Sequence, residues 1–308
     1  MPGAQITGIG TALPDNIVTN HDLAKTLDTT DDWVTERTGI KERRVGGTTV
    51  GLGVEAARKA LDASGTAPDE VDLVIFCTCS PDELIPAAAC VVQNELGIPG
   101  AGAFDLNAAC SGFVYGLVAA HGFISQGAGT VLVVGSETLS SITDWSDRGT
   151  AILFGDGAGA AVVTETDGPD SLLGWHVGSQ GSLAHILRCD VGGPIEMDGR
   201  QVFRHAVLAM ANSAETSLAK AGLTIDDIDV IVPHQANIRI IDAACKRLGA
   251  PPDRAVTVLH YTGNTSSASI PLALDDGLRS KRIEPGMTVL LVGFGGGMTS
   301  ASAVLRWG

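Results

Sequence analysis

The sequence predicts an α/β protein built from two duplicated halves. Apolar strand-like runs alternate with helix-like segments along the whole chain, and the second half repeats the first. Val71-Asp-Leu-Val-Ile-Phe76 returns as Ile228-Asp-Val-Ile-Val-Pro233, and Glu95-Leu-Gly97 returns as Arg247-Leu-Gly249. Gly129-Thr-Val-Leu-Val-Val-Gly135 returns with one extra residue as Gly286-Met-Thr-Val-Leu-Leu-Val-Gly293. At 308 residues, 44% hydrophobic and 18% charged, the chain suffices for one large α/β domain or two of about 150 residues. The boundary is expected at residues 166–172, near Asp167-Gly-Pro169, dividing the chain into 1–168 and 169–308.

In order, residues 6–10 read as a short strand ending at Ala12-Leu-Pro14. Asn20 and Thr30 read as caps of two helices, and residues 38–44 as a basic loop or edge. A helix over 52–63 stops at Ser64-Gly65. A buried strand over 71–79 places Cys77 and Cys79 on one face as core, and a helix over 86–96 closes at Gly97. Residues 100–106 read as a buried strand entered through Pro99-Gly100; from Ser111 apolar residues recur at helical spacing through Phe113, Leu117 and Ala120. Strands follow at 130–135 and, around Gly155-Asp-Gly157, as two within 151–163. The second half shows a loop at 190–199, a helix over 202–222, a strand over 229–232, a helix over 237–248 and a strand over 255–259. Like Phe154, Phe294 leads from glycines into a strand of small residues.

A net charge of −15 argues against a general binder of nucleic acid or anionic membrane. The uncharged stretch 107–136 is broken by Asn107, Ser111, Ser125, Gln126 and several glycines, which argues against a membrane span. Six cysteines, at 77, 79, 90, 110, 189 and 245, show no metal-site spacing, so no metal is expected. The first residues lack the pattern of a signal peptide, so reduced thiols and a cytoplasmic location are expected.

Cys110 is the residue around which the chemistry is arranged. It falls where a strand gives way to a helix, and a cysteine in a helix's first turn feels free N–H groups and the positive end of the dipole, both favouring thiolate. The competing reading is a small buried residue. The repeat places His234, in Pro233-His-Gln-Ala-Asn237, and Asn264, after Gly263, at strand ends facing the same crevice, where α/β sheets hold ligands. Each alone also fits a structural histidine or a turn asparagine. Gly295-Gly-Gly297 is either a flexible link or a backbone close enough to a substrate to offer N–H groups.

Taken together, Asp31-Asp-Trp33, Arg37-Thr-Gly-Ile40, Asn107-Ala-Ala-Cys110-Ser-Gly-Phe113, Asp147-Arg-Gly-Thr150, Phe154-Gly-Asp-Gly-Ala-Gly159, Pro233-His-Gln-Ala-Asn237, Gly263-Asn-Thr265 and Gly293-Phe-Gly-Gly-Gly297 resemble the β-ketoacyl-acyl-carrier-protein synthase III family. The motifs span nearly the whole chain in the family's order. The resemblance implies the thiolase fold, a five-layer αβαβα sandwich, a homodimer and no resident cofactor, with acyl-coenzyme A as a substrate and malonyl-acyl-carrier protein as its partner. It implies a decarboxylating condensation that starts fatty acid synthesis. Cys110 would be the acyl acceptor, His234 and Asn264 would act on the malonyl unit, and the N–H groups of Cys110 and Gly297 would form the oxyanion hole. Thr29, Trp33, Arg37, Arg148 and Asn237 would bind coenzyme A. Arg239, Lys246 and Arg247, on one helix, with Arg204, would dock the acidic carrier. Ile85 and Phe154 would line the acyl pocket; the aliphatic residues at 84–85, where this family often has an aromatic, leave primer length and branching open. The runner-up is a priming ketosynthase of a polyketide or other secondary-metabolite pathway. A papain-like hydrolase and a dinucleotide-dependent oxidoreductase are disfavoured by the doubled pattern and by strand, not helix, following Gly155-x-Gly157.

Overall fold

The computed structural model describes residues 3–308. Its strands are β1 (Gly3–Ala12), β2 (Ile17–Thr19), β3 (Glu42–Arg44), β4 (Leu73–Cys77), β5 (Gly102–Leu106), β6 (Thr130–Thr138), β7 (Asp156–Thr166), β8 (Leu172–Gly178), β9 (Leu187–Cys189), β10 (Ile195–Met197), β11 (Val230–Pro233), β12 (Thr288–Gly295) and β13 (Thr299–Arg306). The α-helices are α1 (Asn20–Leu23), α2 (Asp31–Thr38), α3 (Thr49–Ser64), α4 (Ala88–Glu95), α5 (Gly112–Ser125), α6 (Arg148–Ala151), α7 (Gly199–Ala221), α8 (Ile238–Leu248), α9 (Leu259–Thr262) and α10 (Ser269–Arg279).

Two sheets share one plan. The first runs β1-β7-β6-β4-β5, with β4 parallel to β5 and β6 and with β7 antiparallel to β6 and β1. The second runs β11-β12-β13-β8, with β11 parallel to β12 and the other pairs antiparallel. Helices α5 and α10 contact strands of both sheets, α3 and α4 cover the first sheet's outer face, and α7 lies against the second, packed beside α8. The result is five layers, helix–sheet–helix–sheet–helix. Alternation along the strands produces this: Val131 and Val133 of β6 join the core between the sheets, while Leu132 and Val134 join the core under α3 and α4. Helix α5 is buried along Phe113, Val114, Leu117, Ala120 and Ile124 because it is sandwiched between sheets, which explains its lack of charge. Among the described residues no helix is long and apolar enough to cross a membrane.

Several elements differ from their sequence reading. Thr19, not Asn20, caps α1; Asn20 is buried, and its amide donates to Asp31, at 2.9 Å, and to the carbonyl of Ile40, at 2.7 Å. Residues 151–163 hold one strand, β7 from Asp156, instead of two: Ala151 ends α6, and before the strand starts Gly155 N–H pairs with Asn264 rather than with a neighbouring strand of its own half. The strand expected at 255–259 shrinks to a single bridge from Ala255 to Ile231, since Pro251 and Pro252 precede it and α9 begins at Leu259. β5 is only half-buried, being the outer strand of its sheet. The basic stretch 38–44 ends in the strand β3, paired with β2, as an edge was expected, but Arg43 within it is buried, donating to Val18, Asn20 and Ile152.

Candidate active site

Cys110 lies in a tight 3-10 turn, Ala109–Ser111, between the end of β5 and the start of α5. Gly295, the last residue of β12, brings the second half onto it: a Cβ there would meet Cys110 N at 2.7 Å. At Gly293 a Cβ would come 3.4 Å from His234 Cβ and 3.6 Å from Cys110 O, so two glycines let the thiol and the imidazole approach across the interface of the halves. His234 follows directly on β11, and its ring packs edge-on against Phe294 at 5.4 Å between centroids. Asn264 is placed by backbone pairing to the first half. Its N–H donates to Leu153 O at 2.8 Å, and Gly155 N–H donates to its carbonyl at 3.0 Å.

All three reactive side chains are buried and line one cavity of about 450 Å³. A second cavity, of about 260 Å³, opens on the other side of the thiol and is lined by Cys79, Leu139, Ile142, Ile195, Ser266 and Gly296. Cys110, Phe154 and Leu187 line both, so the sulfur sits at their junction. The larger cavity has a cationic mouth of exposed Arg37, Arg200 and Arg239, with Asn237 alongside.

Protonation follows from burial. Desolvation lowers His234 to about 3, so its ring is neutral at physiological pH. Ser269 Oγ accepts from Gln235 N–H at 3.3 Å and lies 2.7 Å from His234 Nδ1. With the Ser269 hydroxyl donating to Nδ1, the neutral ring carries its proton on Nε2, a buried nitrogen with no protein partner among the described residues. Asn264 Oδ1 accepts from Ser266 N–H at 2.9 Å, which turns its amide NH2 free. The site therefore offers two uncharged N–H donors. Cys110 departs from its sequence reading: burial pushes the thiol up to about 12, a rise that Glu137's negative charge reinforces and the Ser266 hydroxyl opposes. The resting sulfur is a thiol, because desolvation outweighs the field at the head of α5.

The other expected residues divide. Trp33 lies against two guanidinium groups, Arg37 at 4.3 Å and Arg148 at 4.7 Å from the ring centroid, and Thr29 Oγ1 is buried with no hydrogen-bond partner among the described residues. Asn237 caps α8 through Arg239 N–H at 2.9 Å while lining the cavity. Arg239 reaches over the ring of Phe203, next to Arg204, so α7 and α8 present cations together; Lys246 and Arg247 are exposed further along α8. Phe154 lines both cavities, whereas Ile85 is 88% exposed and lines neither within its own chain. Gly297 also lines neither, and its carbonyl accepts from Gln180 N–H; Gly296 is the glycine on the cavity beside Cys110. Cys79 lies past the end of β4 and, while packed against the core as expected, also lines the smaller cavity. Ser269, Ser266, Arg200 and Cys79 escaped the sequence reading. The run Thr265-Ser-Ser-Ala-Ser269, unusually polar for a buried segment, is the one signal for the two serines.

Solved structures with this architecture place the chain in a class. A 3-oxoacyl-[acyl-carrier-protein] synthase III from Aquifex aeolicus superposes with a TM-score of 0.97 at 42% identity, covering 99% of this chain and 100% of that one. A priming β-ketosynthase of the R1128 polyketide pathway gives 0.94 at 38%, over 99% and 96%. A thiolase-fold condensing enzyme, an acyltransferase, is thus what the sandwich and its thiol, imidazole and carboxamide make up. Family models named 3-oxoacyl-[acyl-carrier-protein] synthase III and its C-terminal part match residues 104–181 and 218–307. The beta-ketoacyl-[acyl-carrier-protein] synthase III 1 of Bacillus anthracis is 46% identical over 98% of both chains, and a Xanthomonas campestris synthase III is 46% identical over 99% of this chain and 98% of its own. The chain belongs to the 3-oxoacyl-[acyl-carrier-protein] synthase III family, which initiates fatty acid synthesis by condensing an acyl primer with malonyl-acyl-carrier protein.

Proposed function

We propose that Cys110 takes the primer from acyl-coenzyme A and that His234 and Asn264 then direct malonyl-acyl-carrier protein onto it, giving 3-oxoacyl-carrier protein and carbon dioxide. The observation that carries this is the meeting of the three side chains in one cavity, with both donors neutral. In the first step the sulfur of Cys110 attacks the thioester carbonyl. The C–S bond to coenzyme A breaks, and the proton lost by the thiol is the one the departing thiolate needs, so no base with a permanent charge is required. In the second step malonyl decarboxylation places negative charge on the thioester oxygen. His234 Nε2–H and the Asn264 amide stabilise that enolate without protonating its carbon. The carbon attacks the acyl-Cys110 carbonyl, whose oxyanion meets the N–H groups of Cys110 and Gly296, and collapse returns Cys110 as a thiol after uptake of one proton.

Coenzyme A would enter at the cationic mouth, its adenine stacking on Trp33 between Arg37 and Arg148 while Thr29 and Asn237 bind polar groups. The carrier would dock on Arg204, Arg239, Lys246 and Arg247, which span about 10 Å along α8 between Arg239 and Lys246. A homodimer is supported by the exposed Leu84 and Ile85 and by β5, an outer strand with Phe123 exposed nearby. Across that dimer Ile85 would reach the partner's acyl pocket. No resident cofactor takes part, acyl-coenzyme A being a substrate, and such substrates fit a cytoplasmic location. The polyketide-priming reading draws on the likeness to the R1128 priming ketosynthase.

Incubation with acetyl-coenzyme A followed by intact-mass and peptide analysis tests the reading: one acyl adduct, confined to Cys110 and discharged by malonyl-carrier protein, is expected. An unmodified protein would overturn it. Charge reversal at Arg239 and Lys246 should cut turnover with the carrier thioester on the order of tenfold more than turnover with malonyl-coenzyme A.

A further inference from the structure

We propose that Glu137 is a positioning residue that fixes the Asn264 turn of one half against the nucleophile of the other. This rests on the condensing reading and names what holds its two halves in register. Glu137 sits near the end of β6, wholly buried. Its Oε2 accepts from Ser80 Oγ at 2.6 Å, Cys79 N–H at 3.0 Å, Thr78 Oγ1 at 3.0 Å and Ser80 N–H at 3.1 Å. Its Oε1 accepts from Ser267 Oγ at 2.8 Å and Ser267 N–H at 3.4 Å, and the Cys79 thiol lies at 3.4 Å. No ion pair among the described residues includes it. The Ser267 hydroxyl is equally close to Cys77 O, at 2.8 Å, so its single hydrogen serves one of the two, while the backbone N–H groups and the Ser80 and Thr78 hydroxyls donate to Glu137 and offset the cost of burying it.

The consequence runs along the chain into the site. Ser267 follows Ser266, a non-glycine residue at φ 48, a strained conformation that persists only where its surroundings impose it. Ser266 N–H is what orients the Asn264 carboxamide. Glu137 thus grips the residue next to the strained one that aims the donor. Backbone proximity confirms the tight join: a Cβ at Gly135 would meet Ser267 O at 2.6 Å. Glu137 is the charged group that raises the Cys110 thiol, beside the Cys79 thiol and neutral His234, while the cations Arg188 and Arg37, Arg200 and Arg239 line the two cavities that meet at the sulfur.

Two variants test this. Ser267→Ala removes one grip on the turn while leaving the charge; condensation should slow on the order of tenfold, with formation of acyl-Cys110 within about twofold of the parent. Glu137→Gln removes the charge; iodoacetamide at pH 8 should then modify Cys110, followed by peptide mapping, about tenfold faster, since losing a nearby negative charge lowers a thiol's pKa by about one unit. Glu137→Asp should keep the parent alkylation rate. Equal losses of acylation and condensation in Ser267→Ala, or an unchanged alkylation rate in a folded Glu137→Gln, would overturn the proposal. If Glu137→Gln does not fold, Ser267→Ala decides alone. A parent enzyme that forms no acyl adduct would instead sink the condensing reading.

Discussion

Burial acts on both halves of the site in the same direction but with opposite chemical value. In the first half it holds Cys110 as a thiol, up at about 12, which opposes nucleophilic attack. In the second half it holds His234 neutral, down at about 3, which is what an enolate-stabilising N–H donor requires. The nucleophile therefore depends on the substrate to carry its proton away, while the donors are ready before substrate arrives. One environment serves both because neither step needs a standing charge in the cavity.

The largest effect that breaks this comparison is expected from Cys110→Ser, which should abolish acyl transfer and lower condensation by more than about 1000-fold. Slow release of carbon dioxide from malonyl-carrier protein should survive, because the second half is intact; loss of that release as well would show that the two halves do not work separately. Next come His234→Ala and Asn264→Ala, each expected to cost about 100- to 1000-fold in condensation while the Cys110 adduct still forms at close to the parent rate, read by intact mass. Ser269→Ala, which removes the partner of Nδ1, should cost about tenfold, through loss of the Nε2–H tautomer. The smallest effect is in the pH profile. With His234 titrating near 3, condensation should show no acid limb between pH 6 and 7; the imidazole stays uncharged as pH falls through that range. A midpoint near 6.5 in kcat would place a protonatable histidine in the reaction and remove the tautomer argument.

Much of the fold was legible because it is written twice. Residues 71–76 and 228–233 share a pattern, and β4 and β11 fill matching places beside β6 and β12. Helix α2 was legible from its cap, since Thr30 does accept from Trp33 N–H. The misreadings cluster where a residue's partner lies far away in sequence. Asn20 reads as a cap in isolation but is claimed by Ile40 and Arg43, and residues 255–259 read as strand until Pro251 and α9 interrupt them. Gly296 and Gly297 are indistinguishable as letters in a run of three glycines, and only the turn of backbone after β12 sets which one faces Cys110.

Sequence alone determined the layered α/β architecture, since alternation of apolar residues dictates which faces must be covered, and it determined which residue types were present for chemistry. Tertiary structure decided the ionisation of those residues and the partners that orient them. A pKa depends on how much water and which charges surround a group, and Ser269 and Glu137 reach His234 and Cys110 only when the two sheets close over α5 and α10.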